Sequence, residues 1–441
     1  MALSGIQIYK MLPQTNCKEC GFPTCLAFAM KLAAKQVELS GCPYVSAESK
    51  AQLAESSAPP IRLITLKGIG REVKVGNEVC MYRHEKTFYN KSGLFIRIKS
   101  SQSDISTSVV QADSYKVGYV GIDFSIDGFA IEADDPTKFV DAIKAVRAVS
   151  KRPLILISKD PTVISSGLTV LSGETPLLVG ADATNWEAFA DLAKNNKTAL
   201  AVSADTLDIL SSLTDKIKAK GVDDLVLIPG GNNLSESLTK ATQIRRLALK
   251  NFRSLGFPIM TFPCNSDSPQ RESLIAAQSI AKYAGFIVLD KFNPELLYSL
   301  LVLRENIYTD PQKPIQVTPG LYEINNPKPE SPVLVTTNFS ITYFSVANEV
   351  EGSGLPARLL VVDADGMSVL TAWAAGKFDA ERIAKAVKAF DVESKISTKR
   401  IVIPGHVAVL SGELEEELPG WEIRVGPREA VDLPGFMKKA L

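Results

Sequence analysis

Histidine is nearly absent: the 441 residues contain only two, His84 and His406. That excludes any centre built from several imidazoles, and with it most catalytic zinc sites. Net charge is absent too, because 49 Lys and Arg balance 49 Asp and Glu. No generally basic, nucleic-acid-binding surface is expected. No apolar run approaches the ~18 residues of a membrane helix, so no membrane span is expected. The start, Met1-Ala2-Leu3-Ser4-Gly5, lacks a basic segment followed by an apolar one. It reads as no signal peptide and hence a cytoplasmic protein. The apolar share of 45% suits sizeable cores and is too high for disorder. At roughly 150 residues per domain the length suits about three domains.

Cysteine is scarce overall but clustered. Four of the six fall in the pattern C-x2-C-x4-C-x16-C, at Cys17, Cys20, Cys25 and Cys42. In a reducing compartment such a cluster points to metal rather than disulfides. Four thiolates, with Pro43 after the last, suit a cubane iron–sulfur cluster. The spacing is unusual for a zinc finger. Gly21 permits a tight turn, and Pro23 suits a helix start, which places Cys25 in a first turn whose positive end favours a thiolate. A straight helix over Cys25–Leu39 would separate its ends by ~21 Å, and three more residues reach only ~10 Å. Cys42 can then join the other thiols only if the helix ends near Ala33–Gln36 and the chain folds back through Val37–Gly41. Cys80 reads as a core thiol, and Cys264 as a structural residue after a barrel strand.

The cluster domain spans residues 1–57, and Glu55–Pro60 reads as a linker. Residues 58–325 repeat short apolar runs separated by amphipathic stretches. The runs are Val79–Arg83, Phe129–Glu132, Leu154–Ile157, Leu177–Val179, Ala199–Val202, Leu225–Ile228, Ile259–Phe262 and Phe286–Leu289. Each suits a strand buried on both faces of a parallel sheet. Eight βα units of this size fit a TIM (β/α)8 barrel, favoured over a doubly wound sheet. Pro136–Val149 and Trp186–Lys194 are helical patterns within it. Asn325–Pro332, with three prolines, reads as a second linker. Residues 326–441 then alternate on a smaller scale, with strands expected at Val333–Thr336, Leu359–Val362, Ile401–Ile403 and Glu422–Val425. That is an open α/β, Rossmann-like domain.

Ligands of open α/β sheets bind beyond the carboxyl ends of the strands. Four segments occupy such places: Thr336–Ser340, Asp363–Trp373, Pro404–Ser411 and Gly426–Ala430. From them and the following helix the candidate cofactor contacts are Thr337, Asn338, Phe339, Ser340, Thr342, Val346, Gly366, Leu370, Thr371, Ala372, Trp373, Gly405, Val407, Leu410, Gly426 and Ala430. Ordinary turn chemistry is the alternative for any one of them. In the barrel, Asp182, Ser203, Asp205 and Asp290 fall at strand ends, without a paired-carboxylate or Ser-His-Asp constellation. Gly230-Gly231-Asn232-Asn233 could cradle an anion or be a plain turn. No catalytic residue is assigned.

The run Asn16-Cys17-Lys18-Glu19-Cys20-Gly21-Phe22-Pro23-Thr24-Cys25-Leu26-Ala27-Phe28-Ala29, with Cys42-Pro43, resembles the iron–sulfur module of the large (gamma) subunits of corrinoid iron–sulfur proteins. The layout of cluster domain, barrel and small α/β domain resembles them over essentially the whole chain. The resemblance implies a 4Fe-4S cluster on Cys17, Cys20, Cys25 and Cys42 and a cobalt corrinoid on the C-terminal domain. It implies a methyl carrier of the reductive acetyl-CoA pathway, a component of methyl transfer rather than a stand-alone enzyme. Co(I) takes the methyl from methyltetrahydrofolate through a methyltransferase and delivers it to acetyl-CoA synthase. The cluster, fed by an electron donor or reactivator, returns Co(II) to Co(I). A smaller subunit completes a heterodimer around the corrinoid. Neither nucleic acid nor membrane is a partner.

Many cobalamin proteins supply a histidine from Asp-x-His-x-x-Gly. Here Pro404-Gly405-His406 has proline in place of the aspartate, so a base-off corrinoid without a histidine ligand is expected. His406 reads as a loop residue, and Thr371 as a neutral neighbour of the lower cobalt face. A cubane electron carrier without corrinoid is the alternative function. Serving several partners with one cobalt suggests a swing of the C-terminal domain about Asn325–Pro332 and of the cluster domain about Glu55–Pro60.

Overall fold

The computed structural model describes residues 4–33, 37, 39–46, 48–49, 53, 59–119, 122–231, 233–310 and 315–440. The chain divides into two compact units, Met1–Tyr115 with Ile126–Tyr308, and Lys116–Ser125 with Thr309–Leu441. Most of the expected linker Glu55–Pro60, and the 57/58 boundary beside it, lies outside the described residues.

The amino-terminal module starts with the helix Gly5–Met11, where Ser4 and Gln7 form a reciprocal capping box. A second helix spans Cys25–Ala33, followed by a single 3-10 turn at Leu39–Gly41. Residues 34–36 are outside the described set. The chain nevertheless returns as the distance argument requires, since a Cβ on Gly41 would sit 3.6 Å from the Phe28 ring. Ile8, Leu12, Phe28, Ala29, Val45 and Leu53 form the small core.

Strands β1 (Ile64–Lys67) and β2 (Glu72–Val75) pair antiparallel. Ile64, Leu66 and Val75 pack into the same core as Phe95, Ala130, Ile155 and Phe286. This hairpin plugs the amino end of a closed barrel. The barrel strands are β3 (Gly93–Lys99), β6 (Gly128–Glu132), β7 (Leu154–Ile157), β8 (Leu177–Ala181), β9 (Ala199–Ser203), β10 (Leu225–Ile228), β11 (Ile259–Thr261) and β12 (Ala284–Leu289). All eight pair in parallel, and β12 closes on β3. Between β3 and β6 the chain makes a separate antiparallel hairpin, β4 (Val117–Tyr119) and β5 (Ile122–Phe124).

Seven of the eight expected barrel strands are present. The eighth differs: Val79–Arg83 is a loop, and β3 takes its place. Backbone groups that a strand would pair are satisfied by side chains here. Glu78 accepts the N–H groups of Tyr89 and Asn90, and Glu85 accepts those of Met81 and Tyr82.

The C-terminal sheet has the order β13 (Gly320–Ile324), β15 (Ala357–Val362), β14 (Val333–Thr337), β16 (Arg400–Ile403), β17 (Glu422–Val425). The last four are parallel, and β13 is an antiparallel edge. The expected domain boundary at 325/326 therefore falls inside this sheet. Asn325–Pro332 is the β13–β14 connection, not a tether. Arg358 donates to the carbonyls of Lys328 and Pro327, and the Ser397 N–H donates to Pro329. Its prolines stiffen a turn that the sheet holds on both sides. Among the described residues no helix is long and apolar enough to cross a membrane.

Candidate functional site

In the amino-terminal module Cys25 and Cys42 are buried and share one apolar core, Cys20 is half-buried and Cys17 is exposed. Gln14, Asn16, Lys18 and Gly21 all have positive φ, so the loop curls back on the helix start. Asn16 fixes that contact. Its backbone N–H donates to the Cys25 Sγ at 3.3 Å, and its side-chain oxygen accepts the Cys25 N–H at 2.8 Å. An amide aimed at sulfur favours the thiolate that a cluster needs. Tyr44, two residues after Cys42, donates its hydroxyl to Glu19 at 2.7 Å, between Cys17 and Cys20. Among the described residues no three cysteine, histidine or carboxylate side chains already converge as a ligand set. The fit to a cluster lies in the donor type and the chain path: four thiols on one small unit, with a backbone amide on one sulfur.

On the β3 side the barrel mouth is occupied by its own charges, while a cleft of about 540 Å³, walled by Gly230, Asn233, Asn265 and Arg271, opens beside β10 and β11. Arg97 on β3 donates to Asp290, to Glu132 at 3.3 Å, to the Asn265 side chain at 2.9 Å and to the Cys264 carbonyl at 2.8 Å. Burial opposes its charge, but the Asp290 bond and the surrounding anions hold the guanidinium above its usual range. Burial pushes the Cys264 thiol up to about 12, which keeps it protonated within this network. The Glu272 carboxyl, also raised by burial, accepts the Asp290 N–H. Asp182 is desolvated, yet the bonds from Lys159 and Thr184 take it down to about 2. The Ser203 hydroxyl donates to the Ala181 carbonyl. Asn233 caps the helix Leu234–Leu249 through the Glu236 N–H, while Asn232 lies outside the described residues. These groups are engaged in holding strand ends together.

The C-terminal sheet is different. β14 pairs with β15 through Thr337, but with β16 only at Val333 and Leu334. Beyond Leu334 the two strands part, at the place where the strand order reverses, which is the favoured ligand crevice of an open α/β sheet. A cleft of about 310 Å³ opens there. Its walls include Thr336, Ile341, Ser345 and Val346 on one side, and Pro404, His406 and Arg428 on the other. Thr336 is wholly buried, yet its hydroxyl has no hydrogen-bond partner among the described residues. The adjacent Thr337 hydroxyl is likewise buried and without a partner among the described residues. Ile341, Leu370, Trp373, Val409, Val425 and Val431 are exposed apolar side chains of this unit, and two of them, Ile341 and Leu370, also line the cleft.

Of the sixteen expected contacts, Thr342, Val346, Leu370, Gly426 and Ala430 line the cleft. Gly405 shapes it from behind, because a Cβ there would meet the Gly426 carbonyl at 2.5 Å. Phe339 and Ser340 start the helix Ser340–Ser353. Thr371 and Trp373 are exposed on the helix Val369–Ala374, which stands where a loop was expected, and the Thr371 and Ser368 hydroxyls are 3.0 Å apart. Ala372, Val407 and Leu410 belong to the hydrophobic core and not to the cleft wall. Asn338 is spent within its own loop region: it accepts the Ala364 and Gly366 N–H groups and donates to the Asp363 carboxylate. That bracket places Gly366 at φ +71 against Gln316. Thr337 is wholly buried. Sequence reasoning missed Ile341, Ser345 and His406 in the wall. Ile341 and Ser345 share one helix face at i, i+4 with Thr342 and Val346, a spacing legible in the sequence. His406 comes within 3.8 Å of Glu429.

A corrinoid/iron–sulfur protein large subunit of Moorella thermoacetica is 44% identical over all of this chain and all of its own. The chain belongs to the family of corrinoid/iron–sulfur protein large subunits. Gamma subunits of the acetyl-CoA decarbonylase/synthase complex follow, from Methanosarcina mazei at 35% and Methanopyrus kandleri at 34%, each over 99% of this chain and 98% of theirs. A profile described as the CO dehydrogenase/acetyl-CoA synthase delta subunit matches residues 64–437, and one described as a putative Fe-S cluster matches 12–44. The second match contains all four clustered cysteines.

Proposed function

We propose that this chain is the large subunit of a methyl carrier in acetyl-CoA synthesis, binding a cubane cluster and a cobalt corrinoid. The observation that carries the reading is the cleft at the β14/β16 parting, with the unpaired Thr336 hydroxyl buried in its wall and apolar side chains at its edge. When bound, the corrinoid supplies a nucleophilic cobalt that accepts and releases methyl groups, and the cluster supplies single electrons that restore it.

The residues divide that work. Cys17, Cys20, Cys25 and Cys42 would hold the cluster, with the Asn16 N–H stabilising charge on the Cys25 sulfur. Thr336, Thr342 and Ser345 offer hydroxyls, and Arg428 a cation, to the amides and phosphate that fringe a corrinoid. Val346, Leu370 and Ile341 offer apolar surface to the ring. A cleft of this size holds only part of such a cofactor, so the remainder needs a second surface, supplied by the smaller subunit. Thr371, exposed on the helix Val369–Ala374, would stand as a neutral neighbour of the bound cofactor rather than a ligand. No histidine ligates from this chain in our reading, because His406 leans towards Glu429 and lacks the Asp-x-His-x-x-Gly frame. The methyl donor reaches the site through a methyltransferase, and acetyl-CoA synthase receives the product. An electron donor or reactivator feeds the cluster. The barrel is scaffold and takes no part in the chemistry.

The test is an anaerobic visible and electron-spin spectrum, with metal counts, on the chain co-purified with its smaller subunit. About four irons and about one cobalt per heterodimer are expected, with no nitrogen splitting on Co(II) from a histidine. Iron without cobalt, after corrinoid has been offered, would leave an electron carrier. Nitrogen splitting that disappears in His406→Ala would overturn the histidine-free reading alone.

A further inference from the structure

The second compact unit is discontinuous in sequence. It takes Lys116–Ser125 out of the middle of the barrel's chain and joins it to Thr309–Leu441. The segment is the hairpin β4–β5, whose register runs Val117 to Phe124, Gly118 to Asp123 and Tyr119 to Ile122. A two-stranded hairpin this short does not hold itself together in water; it needs a surface to dock on. Tyr119 provides the docking. Its ring stacks on Phe124 at 5.1 Å and lies 6.2 Å from Phe344. Phe344 continues through Tyr343 at 5.5 Å to Tyr322 at 5.3 Å. Tyr119 thereby packs on the core that contains Leu334, Val350, Leu359 and Val361, on the β14–β15 sheet.

The chain consequently passes between the two units three times, at Tyr115/Lys116, Ser125/Ile126 and Tyr308/Thr309. The proline-rich segment Asn325–Pro332 is not one of these crossings. The Asn325 amide donates to the Val350 and Leu355 carbonyls, which ties that segment into the unit.

We propose that the hairpin Lys116–Ser125 is a clasp that stays docked on the C-terminal unit and travels with it, so that any turning of this unit pivots on the three crossings. The outward and return strands of the clasp make two of the three pivots neighbours across the hairpin base. Two adjacent pivots define a hinge line, whereas a single tether would allow free swivelling. The proposal rests on the methyl-carrier reading only for the choice of the methyltransferase as probe.

The experiment uses the heterodimer with its cofactors in their oxidised, spin-silent states. Spin labels are placed on exposed positions of the hairpin (Asp123→Cys), the C-terminal unit (Glu351→Cys) and the barrel (Lys144→Cys), in two pairs. Distances are measured with and without the purified methyltransferase. We expect the 123–351 distance to be narrow and unchanged, and the 123–144 distance to shift when the methyltransferase binds. The reverse pattern would place the hairpin with the barrel and overturn the proposal. Two unshifted distances would overturn it as well, since no unit then turns. Tyr119→Ala should broaden the 123–351 distance, and Tyr119→Phe, which keeps the stacked ring, should not. Cobalt content measured on the same samples reports separately on the carrier reading.

Discussion

The mouth of the barrel and the cleft of the C-terminal sheet are the same kind of place. Both lie at the carboxyl ends of parallel strands, where the fold rule puts ligands. They differ in what their polar groups do. At the barrel mouth Arg97, Glu132, Asp290, Asn265 and Glu272 use one another as partners. In the cleft the strands part after Leu334, and the Thr336 hydroxyl has nothing to bond among the described residues. Position in a fold therefore nominates a site. Hydrogen-bonding capacity left unspent, more than open volume, separates the two: the cleft beside β10 and β11 holds about 540 Å³ and the C-terminal one about 310 Å³.

The strongest way to break the comparison is to fill the cleft. Ser345 is exposed on the cleft wall, with its hydroxyl bonded only within its own helix turn, to the Ile341 carbonyl at 2.8 Å. Ser345→Trp adds bulk where space exists, so folding should survive. Corrinoid retention should fall by about 100-fold or more through steric exclusion, with iron content unchanged. Cobalt counts on the purified heterodimer check this; full cobalt occupancy would move the site elsewhere. A bulky residue at the barrel mouth should leave cobalt untouched.

The converse change attacks the barrel mouth. Arg97→Met removes the cation that pairs with Asp290 and Glu132. Breaking a buried pair from one side costs about 3–5 kcal/mol. Both carboxylates are a third or more exposed here, so a loss near the lower end, about 3 kcal/mol, is expected. The urea midpoint of the barrel transition reads it. Methyl transfer measured well below that midpoint should be unchanged. A large loss of transfer in a folded Arg97→Met protein would give the mouth a function after all.

The same contrast explains what was legible in the sequence. Leu154–Ile157 and Leu225–Ile228 were legible because both faces are buried and the runs are unbroken. Gly93–Lys99 was not, because Arg97 interrupts its apolar pattern and its compensating carboxylates lie 35 and 193 residues away in the chain. Gly320–Ile324 is an edge strand, only half-buried, and carries no continuous apolar run. Asn325–Pro332 has the composition of a linker, but its restraints come from Arg358 and Ser397, distant in sequence. The loops at the cleft followed from strand order alone. Individual contacts followed only where one helix face supplied them, as with Thr342 and Val346. Ala372, Val407 and Leu410 lie in the core rather than in the cleft wall, because a turn of helix at Val369–Ala374 and another at Gly405–Leu410 carry them there. The cysteine module was the most legible part, since spacing and chain reach constrain it without any knowledge of packing.

The finest test separates an unspent hydroxyl from a merely buried one. Thr336→Val keeps the β-branched shape and removes only the hydroxyl. If that group serves no partner within the protein, its loss costs the cofactor-free protein nothing and can raise stability slightly, because an unsatisfied polar atom leaves the interior. If it donates to a cofactor in the cleft, the cofactor complex loses about 1 kcal/mol, roughly a five-fold weaker affinity. The two effects have opposite signs in cofactor-free and loaded protein, and a residue holding the fold together cannot produce that pattern. Thermal midpoints of both forms, beside a corrinoid titration, distinguish the cases. A lower midpoint in the cofactor-free form with unchanged affinity would mean that the hydroxyl is bonded within the sheet. That hydroxyl would then be as fully spent as the groups around Arg97.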